Sequence, residues 1–149
     1  MKMSLHLYRL IMVFLIVIII PIYSCHLFGP ENMIAPENIN IVGADTASNS
    51  LELKDDKGDD AKIFKVKAGK TIRWLVNTRD VADIDTIYKK PTTTSDVLFT
   101  SGPSRIGNSR NWTATINPEA KTGQYEDYNI NWTDKNGGKH IFDPRIQVK

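Results

Sequence analysis

The chain has very few residues that cross-link or bind soft metals. Of its 149 residues, one is cysteine and three are histidine, and no methionine follows Met33. A single cysteine cannot form a disulfide within the chain, so the fold of an exported form depends on apolar burial alone. These absences exclude a small disulfide-stapled scaffold and leave few side chains for a soft-metal site.

Long apolar runs are also missing, because the longest one, Leu10 to Ile20, has eleven residues. As a helix it would span about 16 Å, whereas the hydrocarbon core of a bilayer is about 30 Å thick. Lys2 and Arg9 precede the run and Pro21 follows it. A positively charged start followed by a short apolar stretch is the layout of a secretory signal. We therefore predict that residues 1–24 are a signal peptide.

The only cysteine, Cys25, directly follows this segment. With Ile22, Tyr23 and Ser24 it resembles a bacterial lipobox, although most lipoboxes have a small residue where Tyr23 stands. The resemblance implies that the Cys25 thiol is lipidated and becomes the new N-terminus, which predicts a lipoprotein anchored to a membrane of the cell envelope. Two alternatives stay open: an ordinary signal peptide cut near Ser24, and an uncleaved anchor.

The charges of the remaining chain are balanced. Residues 1–24 contain two of the 19 Lys and Arg and none of the 17 Asp and Glu, so 17 charges of each sign remain. Without a basic stripe, nucleic-acid binding is not expected. Residues 25–38 contain Gly29, Pro30 and Pro36 and show no sustained period, which predicts a flexible tether. Residues 39–149 are long enough for one domain.

The apolar pattern of this domain has the period of β-strands. Ile72, Trp74 and Val76 alternate with other residues, which predicts a strand with Trp74 in the core. Asn136-Gly137 predicts a hairpin, and Ser101 to Arg110 reads as a loop. We predict an all-β domain, an antiparallel Greek-key β-sandwich. Its predicted strands are 39–42, 51–53, 62–67, 71–77, 84–88, 96–100, 112–116, 125–132 and 140–148.

Two segments resemble the strand pairs of cupredoxins. They are FKVKAGKTIRWLVN, from Phe64, and GQYEDYNINWTDKNGGKHIFDPRIQV, from Gly123. The resemblance implies a cupredoxin-like sandwich, and an immunoglobulin-like one remains the alternative. A blue-copper site needs a thiolate and two imidazoles. His140 is the only histidine after residue 38, where no cysteine occurs. We therefore expect no copper and no other cofactor, and we expect His140 to face solvent.

The sequence gives only weak signals for a calcium site or a catalytic site. The acidic run from Asp55 to Asp60 could bind calcium, but it lacks EF-hand spacing and a closing glutamate, so we predict a solvated turn. The same applies to Asp80, Asp83 and Asp85. No Gly-x-Ser-x-Gly elbow is present and no base is marked for a nucleophile, so we predict that the protein is not an enzyme.

Three aromatic residues are candidates for ligand contact, namely Trp112, Tyr125 and Trp132. Aromatic rings bind sugars when they are exposed, although the alternation around these residues favours the core. We predict a membrane-tethered, non-catalytic envelope lipoprotein whose sandwich binds another protein or envelope component. The alternative is a carbohydrate-binding module that uses these three rings.

Overall fold

The computed structural model describes residues 35–91, 94 and 96–149. The predicted signal peptide, the lipidation site Cys25 and most of the predicted tether lie outside the described residues. Within the described ranges, no helix is long and apolar enough to cross a membrane. The described residues form ten strands. These are β1 Glu37–Asp45, β2 Ser50–Lys54, β3 Ile63–Val66, β4 Thr71–Val76, β5 Val81–Lys89, β6 Phe99–Arg105, β7 Trp112–Ile116, β8 Tyr125–Asp134, β9 Lys139–Phe142 and β10 Arg145–Val148.

The strands form two mixed sheets that pack as a β-sandwich. One sheet has the order β2-β1-β4-β7-β6, and the other has the order β3-β10-β8-β5, with β9 paired to β8. The all-β prediction is confirmed. The sheets are not purely antiparallel, because β1 pairs with β4 and β10 pairs with β3 in parallel. Parallel neighbours need long crossover connections, which no local turn signal reveals.

The core lies between the sheets and is built from the alternating apolar residues. Trp74 on β4 is fully buried, so its predicted core position is confirmed. Its Nε1 donates a hydrogen bond to the hydroxyl of Tyr128 on β8, at 3.1 Å. The two rings meet edge to face at 5.7 Å, and Phe99 on β6 lies 6.1 Å from Trp74. This aromatic group connects the two sheets.

The C-terminal hairpin forms where Asn136-Gly137 predicted it. Gly137 has φ of 87°, a left-handed conformation that glycine adopts without a steric penalty. After the turn, β9 and then β10 run back along β8. They replace the single predicted strand 140–148, because Asp143-Pro144 interrupts the pairing and proline has no N–H to donate.

Most predicted strand boundaries differ from the structure by one to five residues, and two of the differences change the assignment of a predicted loop or tether. The loop predicted from Ser101 to Arg110 is a strand as far as Arg105. Gly102 and Pro103 fit there because β6 lies at the edge of its sheet and its pairing with β7 shifts register twice. At the other boundary, β1 begins at Glu37, so the last two residues of the predicted tether belong to the sheet.

Candidate functional site

His140 is packed into the hairpin instead of facing solvent. It is the cross-strand partner of Trp132, and the two rings stack with centroids 4.3 Å apart and planes 23° apart. Its side chain is only 11% exposed. The expectation of a solvent-facing histidine was therefore wrong, because the hairpin register places His140 on the same face as the buried Trp132.

Both ring nitrogens of His140 have oxygen partners. Nε2 lies 3.0 Å from Oδ2 of Asp134, and Nδ1 lies 2.7 Å from Oδ1 of Asn49. Two oxygen acceptors suit an imidazole ring that carries hydrogen on both nitrogens. Exchanging the oxygen and nitrogen of the Asn49 amide would place a donor at Nδ1 and suit a neutral ring. Asn49 lies between β1 and β2, so His140 connects the hairpin of one sheet to a turn of the other.

Asp134 holds the turn as well as the histidine. Its Oδ1 accepts hydrogen bonds from the backbone amides of Asn136 and Gly138, at 2.7 and 2.9 Å. The hydrogen bond from His140, and then the Gly138 amide, lower the pKa of Asp134 below its ordinary value. The ionised carboxylate therefore fixes the hairpin turn and the histidine together.

Beside His140 lies an open groove of about 670 Å³, lined by Asn49, Asp85, Asn131, Lys139, His140 and Ile141. We call this the hairpin groove. Lys139 Nζ and Thr133 Oγ1 both bond to the carboxylate of Asp85, at 3.1 and 2.9 Å. Asn131 Oδ1 is buried and has no hydrogen-bond partner among the described residues. The groove thus presents amide, carboxylate and ammonium groups together.

One border of the hairpin groove is an edge strand. β9 pairs with β8, and in the part of the chain that the structure describes no other strand pairs with it. An edge strand has backbone N–H and C=O groups that can pair with an extended chain. Ile141 on this strand is 57% exposed, which adds an apolar contact to the polar lining.

The three aromatic candidates do not form a shared surface. Trp132 is fully buried and Trp112 is 8% exposed, with its Nε1 donating to the carbonyl of Ile84. Tyr125 is partly buried beneath the guanidinium of Arg145, which lies 4.0 Å from the ring centroid. In this structure neither indole can stack on a sugar, because each packs inward from its strand.

Most carboxylates of the two acidic segments form hydrogen bonds or ion pairs within the protein. Asp55 accepts the amides of Lys57 and Asp59, and the Asp59 amide is the main cause that lowers the pKa of Asp55. The second group separates, since each carboxylate pairs with a different cation; the pairs are Asp80–Lys135, Asp83–Arg105 and Asp85–Lys139. Over the described ranges, no three His, Cys, Asp or Glu side chains group closely enough to hold a metal ion.

Sequence reasoning did not identify the hairpin groove. Asn136-Gly137 located the hairpin, and the pairing of Trp132 with His140 follows from that turn once the loop length is known. Asn49 is 91 residues away from His140, and no local signal connects them.

Comparison with known proteins adds no functional assignment. No model of a known protein family matches the sequence. No curated protein is significantly similar to it. The geometry of the hairpin groove, together with the motifs of the sequence, therefore carries the functional argument.

Proposed function

We propose that this protein is a non-catalytic lipoprotein of a bacterial envelope. A lipid on Cys25 anchors it, and its hairpin groove binds an extended segment of another envelope protein. The lipobox-like residues before Cys25 support the anchor. The observation that supports the binding role is the open groove beside the unpaired edge of β9. The segments that resemble cupredoxins form β3–β4 and β8–β10, so we also propose a cupredoxin-like sandwich without copper.

An extended peptide suits this site better than a compact ligand. A strand added beside β9 gains main-chain hydrogen bonds, and side-chain contacts supply selectivity. Ile141 offers an apolar contact, while Asp85 and Lys139 offer a charged pair in the same groove. Lys139 is exposed and Asp85 is partly buried. Ion pairs at a protein surface contribute about 0–1 kcal/mol, so Lys139 can exchange partners at little cost.

The groove is also rigid before a partner arrives. His140 is stacked on Trp132 and hydrogen-bonded to Asp134 and Asn49. A site that is already ordered loses less conformational entropy on binding. The contacts that hold His140 therefore favour binding by keeping one wall of the groove in place.

A glycan is the second candidate ligand for the same groove. Sugars are bound through planar amide and carboxylate side chains, and Asn49, Asp85 and Asn131 supply these here. Asn131 Oδ1 is buried without a hydrogen-bond partner among the described residues, so a ligand hydroxyl that displaces the atoms covering it would supply the missing donor. This version of carbohydrate binding does not use Trp112, Tyr125 or Trp132.

Site-specific photo-crosslinking tests the peptide proposal. A photoreactive amino acid in place of Ile141, in the native envelope, should give one discrete protein adduct. The matched control is Ile106, which is 36% exposed in the segment between β6 and β7. Adducts of the same mass from both positions, or none from Ile141, would contradict the proposal. Loss of binding to envelope polysaccharide in Asn131→Ala, without a protein adduct, would favour the glycan.

The anchor has a separate test. The intact mass of the mature protein should correspond to a chain that begins at acylated Cys25, and Cys25→Ala should remain unprocessed or leave the membrane fraction. An unmodified N-terminus at another residue would contradict the lipoprotein proposal.

A further inference from the structure

The backbone groups of Lys139 and Ile141 point away from β8. The hairpin closes with a hydrogen bond from the amide of Asp134 to the carbonyl of Gly138, at 2.9 Å. In an antiparallel ladder every second residue of a strand turns its N–H and C=O to the partner, and in β9 the register gives this role to the even-numbered residues. The N–H and C=O groups of Lys139 and Ile141 therefore face the open edge of β9.

The strand β3 fills the neighbouring position beside β10 but not beside β9. The amide of Arg145 donates to the carbonyl of Lys62 at 2.8 Å, and from there β3 and β10 run in parallel. Before Lys62 the chain comes from β2, where Asp60 bridges to Lys54. The edge of β9 therefore borders a slot that lies in line with β3 and is closed at Lys62. We call it the β9 slot.

The carboxylates beside the closed end of the β9 slot already have partners. Two of them pair with cations at 2.6 Å; the pairs are Lys90–Asp143 and Arg145–Asp127. A third, Asp60, accepts the backbone amide of Lys62 at 3.1 Å. The Nζ of Lys62 lies 5.6 Å from the ring centroid of Phe142 on β9, and it forms no salt bridge with any residue that the structure describes.

The charge at this end is balanced, since the three cations Lys62, Lys90 and Arg145 face the three carboxylates Asp60, Asp127 and Asp143. No excess of positive charge draws an anion here from a distance. A bound carboxylate is therefore held by direct contact with the ammonium of Lys62, which is the cation without a carboxylate partner among the described residues.

We propose that the hairpin groove binds the C-terminal end of its partner protein. The inference rests on the proposed binding of an extended segment in this groove. The last residues of the partner pair with the edge of β9 in the direction of β3, and the terminal carboxylate meets Lys62 Nζ. Strand addition at a sheet edge and capture of a terminal carboxylate are both recurring modes of peptide recognition.

The closed end of the β9 slot selects this direction. A segment that runs the opposite way brings its N-terminal side to Lys62. A free ammonium there is repelled by the like charge of Lys62. A chain that continues past this point collides with residues 60–62, which cross from β2 to β3.

The β9 slot also limits the length and composition of the bound segment. β9 has four residues, so a strand beside it pairs over about 13 Å, and three or four residues of the partner take part. Ile141 is 57% exposed and favours an apolar side chain among them. Because the attraction at Lys62 depends on direct contact, a partner whose terminus is amidated should lose it.

Two libraries of hexapeptides test this proposal, one with free C-terminal carboxylates and one with C-terminal amides. The receptor is the full-length protein in detergent. Fluorescence anisotropy then measures the dissociation constant of the tightest peptide in both forms. The free acid should bind about fivefold more tightly than the amide at low salt, which is the upper range for one exposed ion pair.

Matched variants locate the contact. Lys62→Gln should remove the fivefold preference, whereas Lys65→Gln, farther along β3, changes the net charge equally and should retain it. Ile141→Pro removes an N–H that β8 does not use, so the hairpin should fold and both peptide forms should bind more weakly. Ile141→Ala keeps this N–H and should weaken them less.

The outcomes separate this inference from the proposed function. Equal binding of acid and amide, or a preference that survives Lys62→Gln, would overturn the C-terminal assignment and leave peptide binding by the groove in place. No binding peptide in either library would also overturn this assignment, and the photo-crosslink from Ile141 then decides the proposed function separately.

Discussion

The hydrogen bond between Trp74 and Tyr128 should contribute measurably to the cohesion of the two sheets. Tyr128→Phe keeps the ring but removes the hydroxyl that accepts from Trp74 Nε1 at 3.1 Å. Both side chains are fully buried, so water cannot replace the lost partner. Leaving a buried N–H unpaired costs about 1–3 kcal/mol, and we expect Tyr128→Phe to lower the free energy of unfolding by that amount.

A double-mutant cycle separates this bond from packing. Trp74→Phe removes the donor, so adding Tyr128→Phe to it should cost less than in the parent, with a coupling energy of about 1 kcal/mol. Trp74→Ala deletes the whole ring and should cost about 3–5 kcal/mol, because the rigid neighbours Phe99 and Tyr128 leave a cavity.

Urea unfolding of residues 35–149 measures the parent protein and the four variants. The urea concentration at the midpoint should fall in each variant. The slope of the unfolding free energy against urea concentration should stay constant, because these substitutions change little of the surface that unfolding exposes. A coupling energy of zero would mean that the two groups do not form this bond in solution. A loss below about 1 kcal/mol for Trp74→Ala would mean that β4 has a different register.

Further outcomes concern pH, the hairpin turn and metal. The folded state lowers the pKa of Asp134, so the ionised carboxylate stabilises the fold above its ordinary pKa of 3.8, and this stabilisation is lost as pH falls through the folded pKa. Asp134→Asn should therefore lower the melting temperature near neutral pH, and the difference from the parent should vanish in acid. Burial raises the pKa of Glu126, which is 1% exposed, above its ordinary value of 4.5. The melting temperature should therefore fall as pH rises from 4.5 through the folded pKa, and Glu126→Gln should lack this fall. Gly138→Ala places Cβ 2.6 Å from Asp134 Oδ2, so it should destabilise the protein and weaken the loss of stability in acid. Gly137→Ala is the control, because its Cβ meets no atom within 4 Å. It should cost only about 1–2 kcal/mol of backbone strain, measured by urea titration, and leave the loss of stability in acid unchanged. Elemental analysis should find no stoichiometric transition metal, and chelators should leave the melting temperature unchanged.

The fold class and much of the core were determined by the sequence alone. The alternation of Ile72, Trp74 and Val76 predicts one buried face, and all three are buried. Asn136-Gly137 predicts its hairpin for an equally local reason, because a left-handed residue is needed at the turn. Such signals act over a few residues, and they hold whatever the rest of the chain does.

The candidate site was decided by the tertiary structure. The sequence shows a single histidine after residue 38 and suggests a solvated side chain. The fold instead stacks His140 on Trp132 and brings Asn49 to its Nδ1. The parallel pairing of β1 with β4 arises in the same way. Each depends on which strands become neighbours, and that choice is made by burying both sheets around one core, through contacts between residues far apart in the chain.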